Sequence, residues 1–173
     1  GRVLVSMLRE RGVDVVGPVA GRTGTVVSVA AAGDRTMVSD RGAAPELSPR
    51  DLEPAWFDCD VLHISGYSLL LDPIASAAEL GAAHARDHGA RVSVDVSTFT
   101  LVDDAFRARV AALAPDLVFA TERERQALGG LETRWVVKRG KDGVHVDGVD
   151  HPAVAGSIVD TTGAGDAFAA GFL

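Results

Sequence analysis

The segment from Asp160 to Leu173 (DTTGAGDAFAAGFL) holds the residues that most directly suggest chemistry. A glycine-rich turn, Gly163-Ala164-Gly165, leads into an apolar stretch compatible with a helix, and one carboxylate, Asp166, stands at the junction. The first N–H groups of a helix have no partner within it, and together with the helix dipole they attract anions. The turn is therefore a candidate anion site with a carboxylate beside it.

Other interpretations of this segment must be weighed against an anion site. In the simplest one, Asp166 only complements the helix dipole and the glycines only turn the chain. A dinucleotide-binding fingerprint does not fit, because Phe168 occupies the position of the third glycine. A Walker-type phosphate loop does not fit either, because the sequence contains no G-x-x-x-x-G-K-[ST].

The composition predicts an ordinary globular domain. The chain has 173 residues, of which 47% are hydrophobic and 24% charged. Its net charge of −7 argues against a general nucleic-acid binder but leaves an anionic small molecule open. A single cysteine, Cys59, excludes an internal disulfide framework and a cysteine-based zinc site. We expect no membrane partner and a cytoplasmic location, because neither a long apolar span nor a basic leader is visible.

Both ends of the sequence have the pattern of interrupted helices. The segment 2–11 is already helical in its spacing and ends at Gly12, and the segment 167–173 has no C-terminal cap. We therefore expect a domain that is incomplete at both ends.

Strands and helices alternate through most of the chain, which predicts an α/β fold with a mostly parallel sheet flanked by helices. Ligands of such sheets bind beyond the carboxyl ends of the strands. A predicted hairpin, with its turn at Ala32-Gly33-Asp34, departs from this alternation and is expected to project as a lid. The predicted strands are 14–19, 25–31, 35–39, 61–64, 91–96, 117–120, 135–138 and 143–146, and the predicted helices are 2–11, 49–55, 73–88, 103–113, 122–128 and the closing segment.

Taken whole, the closing segment resembles, position by position, the C-terminal signature of the ribokinase-like (PfkB-type) carbohydrate kinases. Three segments upstream are similar to further parts of the same family. RTGT, from Arg22, resembles the start of its lid, LHISGY, from Leu62, resembles a strand end beside its active site, and KRGKDG, from Lys138, resembles its nucleotide loop. The resemblance implies a ribokinase-like fold with a small β lid over about residues 20–42.

Members of this family transfer the γ-phosphoryl group of ATP to an alcohol. The resemblance implies that Asp166 is the catalytic base, and that the backbone N–H groups from Gly163 to Asp166, including those of Ala164 and Gly165, stabilise charge on the transferring group. It also places Asp160 at a position that ligates a monovalent cation such as K⁺. A strand-end aspartate that caps the turn is an equally good interpretation of Asp160.

Two further segments are expected to contact the nucleotide. Thr121 and Glu124 align with the Asn-x-x-Glu motif of the family, in which the glutamate helps to organise Mg²⁺, here through its water shell. Thr121 replaces the asparagine, which puts its phosphate or ribose contact in question. The alternative is that Glu122 to Gln126 is simply a solvated helix start that favours acidic residues. Gly140 and Gly143 would let the backbone approach a nucleotide. Lys138 is either a phosphate or adenine-side contact or a strand-end surface lysine.

Two other polar residues stay open. Asp95 ends a predicted strand at the expected active-site edge, but the sequence has Asp95-Val-Ser97 where the family often has Asp-x-Asn, so a turn cap is equally possible. His63, within an apolar strand, is interpreted as a core histidine with a satisfied hydrogen bond rather than a base.

The sequence thus predicts one incomplete kinase domain, 1–173, from an enzyme that uses ATP and Mg²⁺ to phosphorylate a sugar or a related small alcohol. A nucleoside kinase of the same fold is the first alternative, and a non-catalytic sugar- or nucleotide-binding regulator the second. We expect the 173 residues alone to be inactive, and a homodimer, if one forms, to use the lid.

Overall fold

The computed structural model describes residues 1–31, 34–154, 156 and 160–173. Its main element is a six-stranded sheet in the order β3-β4-β5-β6-β7-β8, in which β3 to β6 are parallel and β7 and β8 are antiparallel. The strands are β1 Thr25–Ala31, β2 Asp34–Asp40, β3 Val61–Ser65, β4 Arg91–Asp95, β5 Leu117–Thr121, β6 Arg134–Lys138, β7 Val144–Val146 and β8 Val149–His151. The α-helices are α1 Arg2–Arg9, α2 Ile74–Asp87, α3 Asp104–Leu113, α4 Glu122–Leu128 and α5 Ala164–Phe172.

Each face of the sheet has its own apolar core, because successive side chains of a strand point to opposite faces. Val94 and Val118 belong to the larger core, which also contains Phe106 of α3. Phe119, the next residue of β5, belongs to the smaller core with Ala169 of α5. Both faces of the central strands are therefore buried, as the near-continuous apolar runs of a parallel sheet require.

The predicted alternation of strands and helices is confirmed, and most element bounds differ from the prediction by one or two residues. Segment 14–19 was predicted as a strand and is not one. It pairs with no strand among the described residues, its Val16 and Val19 are exposed, and Pro18 has no N–H for a ladder. The predicted helix 49–55 forms two separate 3₁₀ turns, Pro49–Asp51 and Pro54–Phe57, because Pro54 begins a new turn.

Strand β8 has no counterpart in the predicted elements. Asp147 and Gly148 connect β7 to β8 with positive φ angles of 53° and 81°. That conformation is the type I′ hairpin turn that Asp-Gly favours. The sequence therefore contained the signal for this hairpin, which places an antiparallel edge beside β6.

The lid hairpin, β1 with β2, is antiparallel with Thr25 opposite Asp40. The predicted turn residues Ala32 and Gly33 lie outside the described residues. At the base of the hairpin, Arg22 pairs with Asp40, and the Arg41 guanidinium donates to the Tyr67 carbonyl at 2.9 Å. That bond links the hairpin to the chain just after β3.

None of the helices in the described part of the chain is both long enough and apolar enough to cross a membrane.

Candidate active site

Four parallel strands end at the same edge of the sheet and bring polar residues together there. Ser65 lies opposite Asp95 across β3 and β4, and Thr121 lies opposite Lys138 across β5 and β6. The first turn of α5 approaches the same edge, because Lys138 Nζ lies 3.5 Å from the position that a Cβ on Gly165 would occupy. We name this region, the carboxyl ends of β3 to β6 with the first turn of α5, the strand-end corner.

A glycine is required where the chain leaves β3. A Cβ on Gly66 would lie 2.3 Å from the Val96 carbonyl oxygen and 2.8 Å from that of Asp95. No side chain fits there without moving the backbone that follows β4. The glycine of the LHISGY segment thus allows the ends of β3 and β4 to pack closely.

Asp95 and Lys138 form an ion pair that the sequence did not reveal. Asp95 Oδ2 accepts a hydrogen bond from Lys138 Nζ at 2.5 Å, and the two side chains are 9% and 18% exposed. The other carboxylate oxygen of Asp95 accepts from the Ser97 backbone N–H at 2.9 Å. Asp95 therefore caps the turn after β4, as one interpretation of the sequence held, and also holds Lys138 in place.

Helix α5 begins at a left-handed glycine and carries Asp166 in its first turn. Gly163, the N-cap, has φ of 71°, a conformation that favours glycine. The N–H of Ala164 donates to the Thr161 carbonyl at 3.2 Å, which closes the turn. Asp166 is exposed, and its Oδ2 lies 3.8 Å from the position of a Cβ on Gly163. The carboxylate thus lies over the glycine turn and is accessible to solvent.

Asp160 has a local partner at the start of this turn. Its Oδ1 accepts from the backbone N–H and the hydroxyl of Thr162, at 2.8 and 2.7 Å. This is the turn-capping arrangement that the sequence offered as the alternative to a cation ligand.

Thr121 and Glu124 form a reciprocal cap at the start of α4. Glu124 Oε2 accepts from the Thr121 N–H at 2.7 Å, and the Thr121 hydroxyl accepts from the Glu124 N–H at 3.3 Å. This is the capping box that Ser/Thr-x-x-Glu favours. Glu124 is 7% exposed, so the solvated helix start does not describe its side chain.

The two glycines of the predicted nucleotide loop have different surroundings. Both have positive φ, 58° at Gly140 and 92° at Gly143. A Cβ on Gly143 would lie 1.9 Å from the His151 carbonyl oxygen, whereas none of the described residues lies within 4 Å of one on Gly140. Gly143 therefore allows its loop to pack closely against the backbone at His151, and Gly140 is the glycine beside open space.

An open cleft of about 1060 Å³ lies between the lid hairpin and the strand-end corner. Met37 and Ser39 of the lid line it on one side, and Thr121, Glu124 and Lys138 line it on the other. The remaining predicted site residues, on the glycine turn, at Asp160 and in the nucleotide loop, are not among its lining residues. Three of the predicted site residues therefore share one cleft, and Lys138 connects that cleft to α5.

His63 lies on the face of the sheet that carries Asp95. Its Nδ1 shares a hydrogen bond with the Ser93 hydroxyl at 2.9 Å. Partial burial lowers the pKa of His63 from its ordinary 6.5, the charges of Asp95 and Asp166 act in the opposite direction, and that of Lys138 lowers it further. The hydrogen bond was expected, but His63 keeps part of its surface in solvent and belongs to neither apolar core.

Comparisons with known proteins identify proteins that are similar to this chain in sequence and in fold. A 5-dehydro-2-deoxygluconokinase from Geobacillus kaustophilus is 26% identical over 209 aligned positions, covering all of this chain and 62% of that protein. The structure of adenosine kinase from Sinorhizobium meliloti superposes with a TM-score of 0.84 at 28% identity, covering 99% of this chain and 60% of that one. An E. coli protein assigned as ribokinase II, solved with ATP and Mg²⁺, shares the fold with a TM-score of 0.84 at 22% identity, covering 96% and 63%.

The chain therefore has the ribokinase-like fold that its sequence predicts. It spans 62% of the curated relative and 60% of the adenosine kinase. The sequence matches the family description over residues 1–173, and the chain belongs to the pfkB family of carbohydrate kinases.

Proposed function

We propose that the protein is an ATP-dependent kinase that phosphorylates a hydroxyl group of a sugar or a related small alcohol. One observation carries this proposal. An accessible carboxylate, Asp166, stands in the first turn of a helix whose N-terminus lies beside an ammonium group, Lys138, at the carboxyl edge of the sheet. Phosphoryl transfer requires mainly positioning and electrostatic stabilisation, and these groups supply both.

Asp166 is the proposed base. Its carboxylate lies over the glycine turn, where it can accept a hydrogen bond from an alcohol and orient the oxygen toward a phosphoryl group. A carboxylate near a helix N-terminus is a weak base. Asp166 therefore orients the hydroxyl first and collects its proton late in the transfer.

The first turn of α5 is the proposed anion hole. Of the residues predicted to form it, Gly163 supplies the left-handed cap and Ala164 uses its N–H to close the turn. The N–H groups of Gly165 and Asp166 belong to the orphan donors of the first turn. They are the groups that would stabilise charge on the phosphoryl group.

Magnesium would be held mainly by the phosphates, with Glu124 as its contact on the protein. No group of three or more His, Cys, Asp or Glu side chains in the described part of the chain is arranged to hold a metal ion. A single buried carboxylate beside the cleft suits Mg²⁺, which keeps several waters and takes one or two protein carboxylates. When bound, the ion neutralises charge on the phosphates.

The nucleotide would extend from Lys138 toward Gly140, where the backbone leaves open space. Gly143 supports that loop through its contact with the His151 carbonyl. A monovalent cation at Asp160 remains a prediction, tested by comparing rates in K⁺ and in a larger organic cation. The turn geometry favours the capping role.

The chain is proposed to form one kinase domain, with residues 20–42 as part of the lid over the acceptor. Met37 and Ser39 line the cleft, so this face of the lid would cover a bound substrate. Val27 and Val38 are directly opposite each other on the other face and are exposed. That outward face is the proposed contact for a homodimer.

A nucleoside kinase is the second candidate. The observation that favours it is the 28% identity to the S. meliloti adenosine kinase over nearly the whole chain. The 26% identity to a 5-dehydro-2-deoxygluconokinase favours a sugar acid to a similar degree. The two candidates share the strand-end corner and differ in the acceptor.

Acceptor screening with the full-length protein tests both candidates. With Mg·ATP and a panel of sugars, sugar acids and nucleosides, we expect ADP release that depends on one acceptor class. Asp166→Asn should lower kcat by about 10³-fold while ATP affinity changes less than threefold. Turnover of the variant within tenfold of the wild type would remove Asp166 as the base. Binding of ATP or sugar without turnover of any acceptor would favour the non-catalytic regulator.

A further inference from the structure

The strand-end corner contains an electrostatic conflict that the proposed function does not by itself explain. The Lys138 ammonium lies beside Gly165, in the first turn of α5, where the helix dipole is positive. An ammonium is disfavoured next to a helix N-terminus, and burial to 18% exposure removes much of its hydration. Asp95 compensates for both effects through the 2.5 Å hydrogen bond.

A purely structural origin explains the pair poorly. Replacing a buried ion pair by apolar residues of similar size is often neutral or stabilising, so such pairs are weak evidence for stability. Residues 95 and 138 end strands β4 and β6, and β5 lies between them. Their pairing therefore brings two side chains together across β5, at the carboxyl edge of the sheet, where ligands of such sheets bind.

We propose that Asp95 is a positioning residue that holds the Lys138 ammonium against the phosphoryl group transferred at α5. This inference rests on the proposed phosphoryl transfer and adds a residue, Asp95, to it. An ammonium has three N–H donors, and Asp95 occupies one of them. Among the described residues the other two have no hydrogen-bond acceptor, so they are available to oxygen atoms of an anion placed between Lys138 and the first turn of α5.

The positive charge of Lys138 and that of the helix end converge on the same position. An anion there is stabilised by both, and the stabilisation grows as negative charge develops on the transferring group. The side chains that face this position include two carboxylates, Asp95 and Asp166, and the His63 imidazole, whose pKa is influenced by both carboxylates and by Lys138. Asp95 keeps Lys138 directed inward, and Asp166 remains free for the alcohol.

The test is a double-mutant cycle in the full-length protein, with kcat and the KM for ATP measured for each variant. We expect Lys138→Met to lower kcat about 100-fold with a KM within threefold. Asp95→Asn should lower kcat about tenfold, and the double variant should be no slower than Lys138→Met alone. Lys138→Arg should recover part of the rate, because it retains the charge. Asp147→Asn, which breaks the exposed pair with Arg134, is the matched control and should stay within twofold.

Two results would overturn the inference. One is a kcat of Lys138→Met within threefold of the wild type. The other is a tenfold effect of Asp95→Asn that persists in the Lys138→Met background, because Asp95 would then not act through Lys138. If Lys138→Met fails to fold because Asp95 is left unpaired, the double variant decides, and a wild-type rate for it would overturn the inference.

A binding measurement separates this inference from the proposed function. ADP with Mg²⁺ and aluminium fluoride mimics the transferring group without turnover. Lys138→Met should weaken its binding at least tenfold while binding of Mg·ADP changes less than threefold. If no acceptor is phosphorylated but Lys138→Met still weakens binding of the mimic, the proposed activity is rejected and the role of the Asp95–Lys138 pair is retained. If the mimic binds equally to the wild type and to Lys138→Met, only the proposed role of the Asp95–Lys138 pair is rejected.

Discussion

The strand-end corner and the lid hairpin face each other across one cleft, yet they are built differently. In the corner and at the adjoining start of α4, Asp95 and Glu124 are buried, and each accepts hydrogen bonds from fixed partners. In the lid, Val27 and Val38 are 56% and 64% exposed. The corner depends on contacts between strands far apart in sequence, whereas the hairpin depends on pairing between neighbouring strands.

In the proposed function, this difference separates residues that position charge from residues that cover the acceptor. Groups that must stabilise charge within a few tenths of an ångström are held by packing and by a network of hydrogen bonds. A lid needs only a firm base and one face suited to its substrate. Substitutions should therefore have large effects in the corner and small effects on the exposed strands of the lid.

The largest effect on stability is expected at Gly66. Gly66→Ala should lower the free energy of unfolding by about 2–3 kcal/mol, because the new Cβ would collide with the carbonyl oxygens of Asp95 and Val96. Gly130→Ala introduces the same methyl group at a position with no described residue within 4 Å, and it is the matched control. Urea unfolding of both variants measures the difference, and equal losses would show that the corner is not closely packed.

A smaller effect is expected at Thr121. Thr121→Ala removes the acceptor for the Glu124 N–H and should cost about 1 kcal/mol. Thr121→Asn should remain within a few tenths of a kcal/mol of the wild type, because asparagine is an equally good N-cap. Thermal unfolding of the two variants tests the cap. A loss in Thr121→Asn as large as that in Thr121→Ala would mean that the hydroxyl has another role.

The next effect depends on pH and concerns His63. Because its pKa in the folded protein lies below 6.5, the unfolded chain binds the proton more tightly. The stability associated with neutral His63 is therefore present above about pH 6.5 and is lost as the pH falls toward the folded pKa. We expect His63→Gln to reduce the loss of Tm between pH 7.5 and pH 5.5. An identical loss in both proteins would contradict the assignment.

The smallest effect on stability is expected on the outward face of the lid. Val27→Ser with Val38→Ser should change the free energy of unfolding of a protomer by about 0.5 kcal/mol or less per site, because both side chains are already exposed. If this face joins two protomers, the same variant should sediment as a monomer where the wild type is a dimer. If the wild type is a dimer and the variant sediments identically, the dimer contact does not lie on this face.

Local patterns in the sequence predicted most of the fold. Apolar runs and their spacing predicted β3 to β6 and α2 to α5, since these elements follow from neighbouring residues. The strand predicted at 14–19 is not present, because a strand also needs a neighbouring strand to pair with. The composition of a segment does not show whether such a partner exists. Strand β8, which is absent from the predicted elements, has a local signal in the Asp147-Gly148 turn.

The site was less predictable than the fold. The closing segment and the pair Thr121 and Glu124 could be proposed as site residues because their motifs depend on short spacing, but the capping box that joins Thr121 to Glu124 was not predicted. The pairing of Asp95 with Lys138, 43 residues apart, could not, because it arises from the register of three strands. From the sequence, Asp95 therefore stayed open between a residue of the active-site edge and a turn cap. Lys138 stayed open between a nucleotide contact and a surface lysine.

The base of the lid hairpin has a consequence for protein engineering. A Cβ on Gly42 would lie 2.2 Å from the Arg22 carbonyl oxygen, so the two chain segments pack too closely there for any side chain at position 42. Beyond this contact, the exposed strands carry side chains whose replacement costs little. A reporter peptide or a longer hairpin grafted beyond Val27 and Val38 should leave the domain folded. This part of the hairpin is therefore a suitable place to insert a reporter.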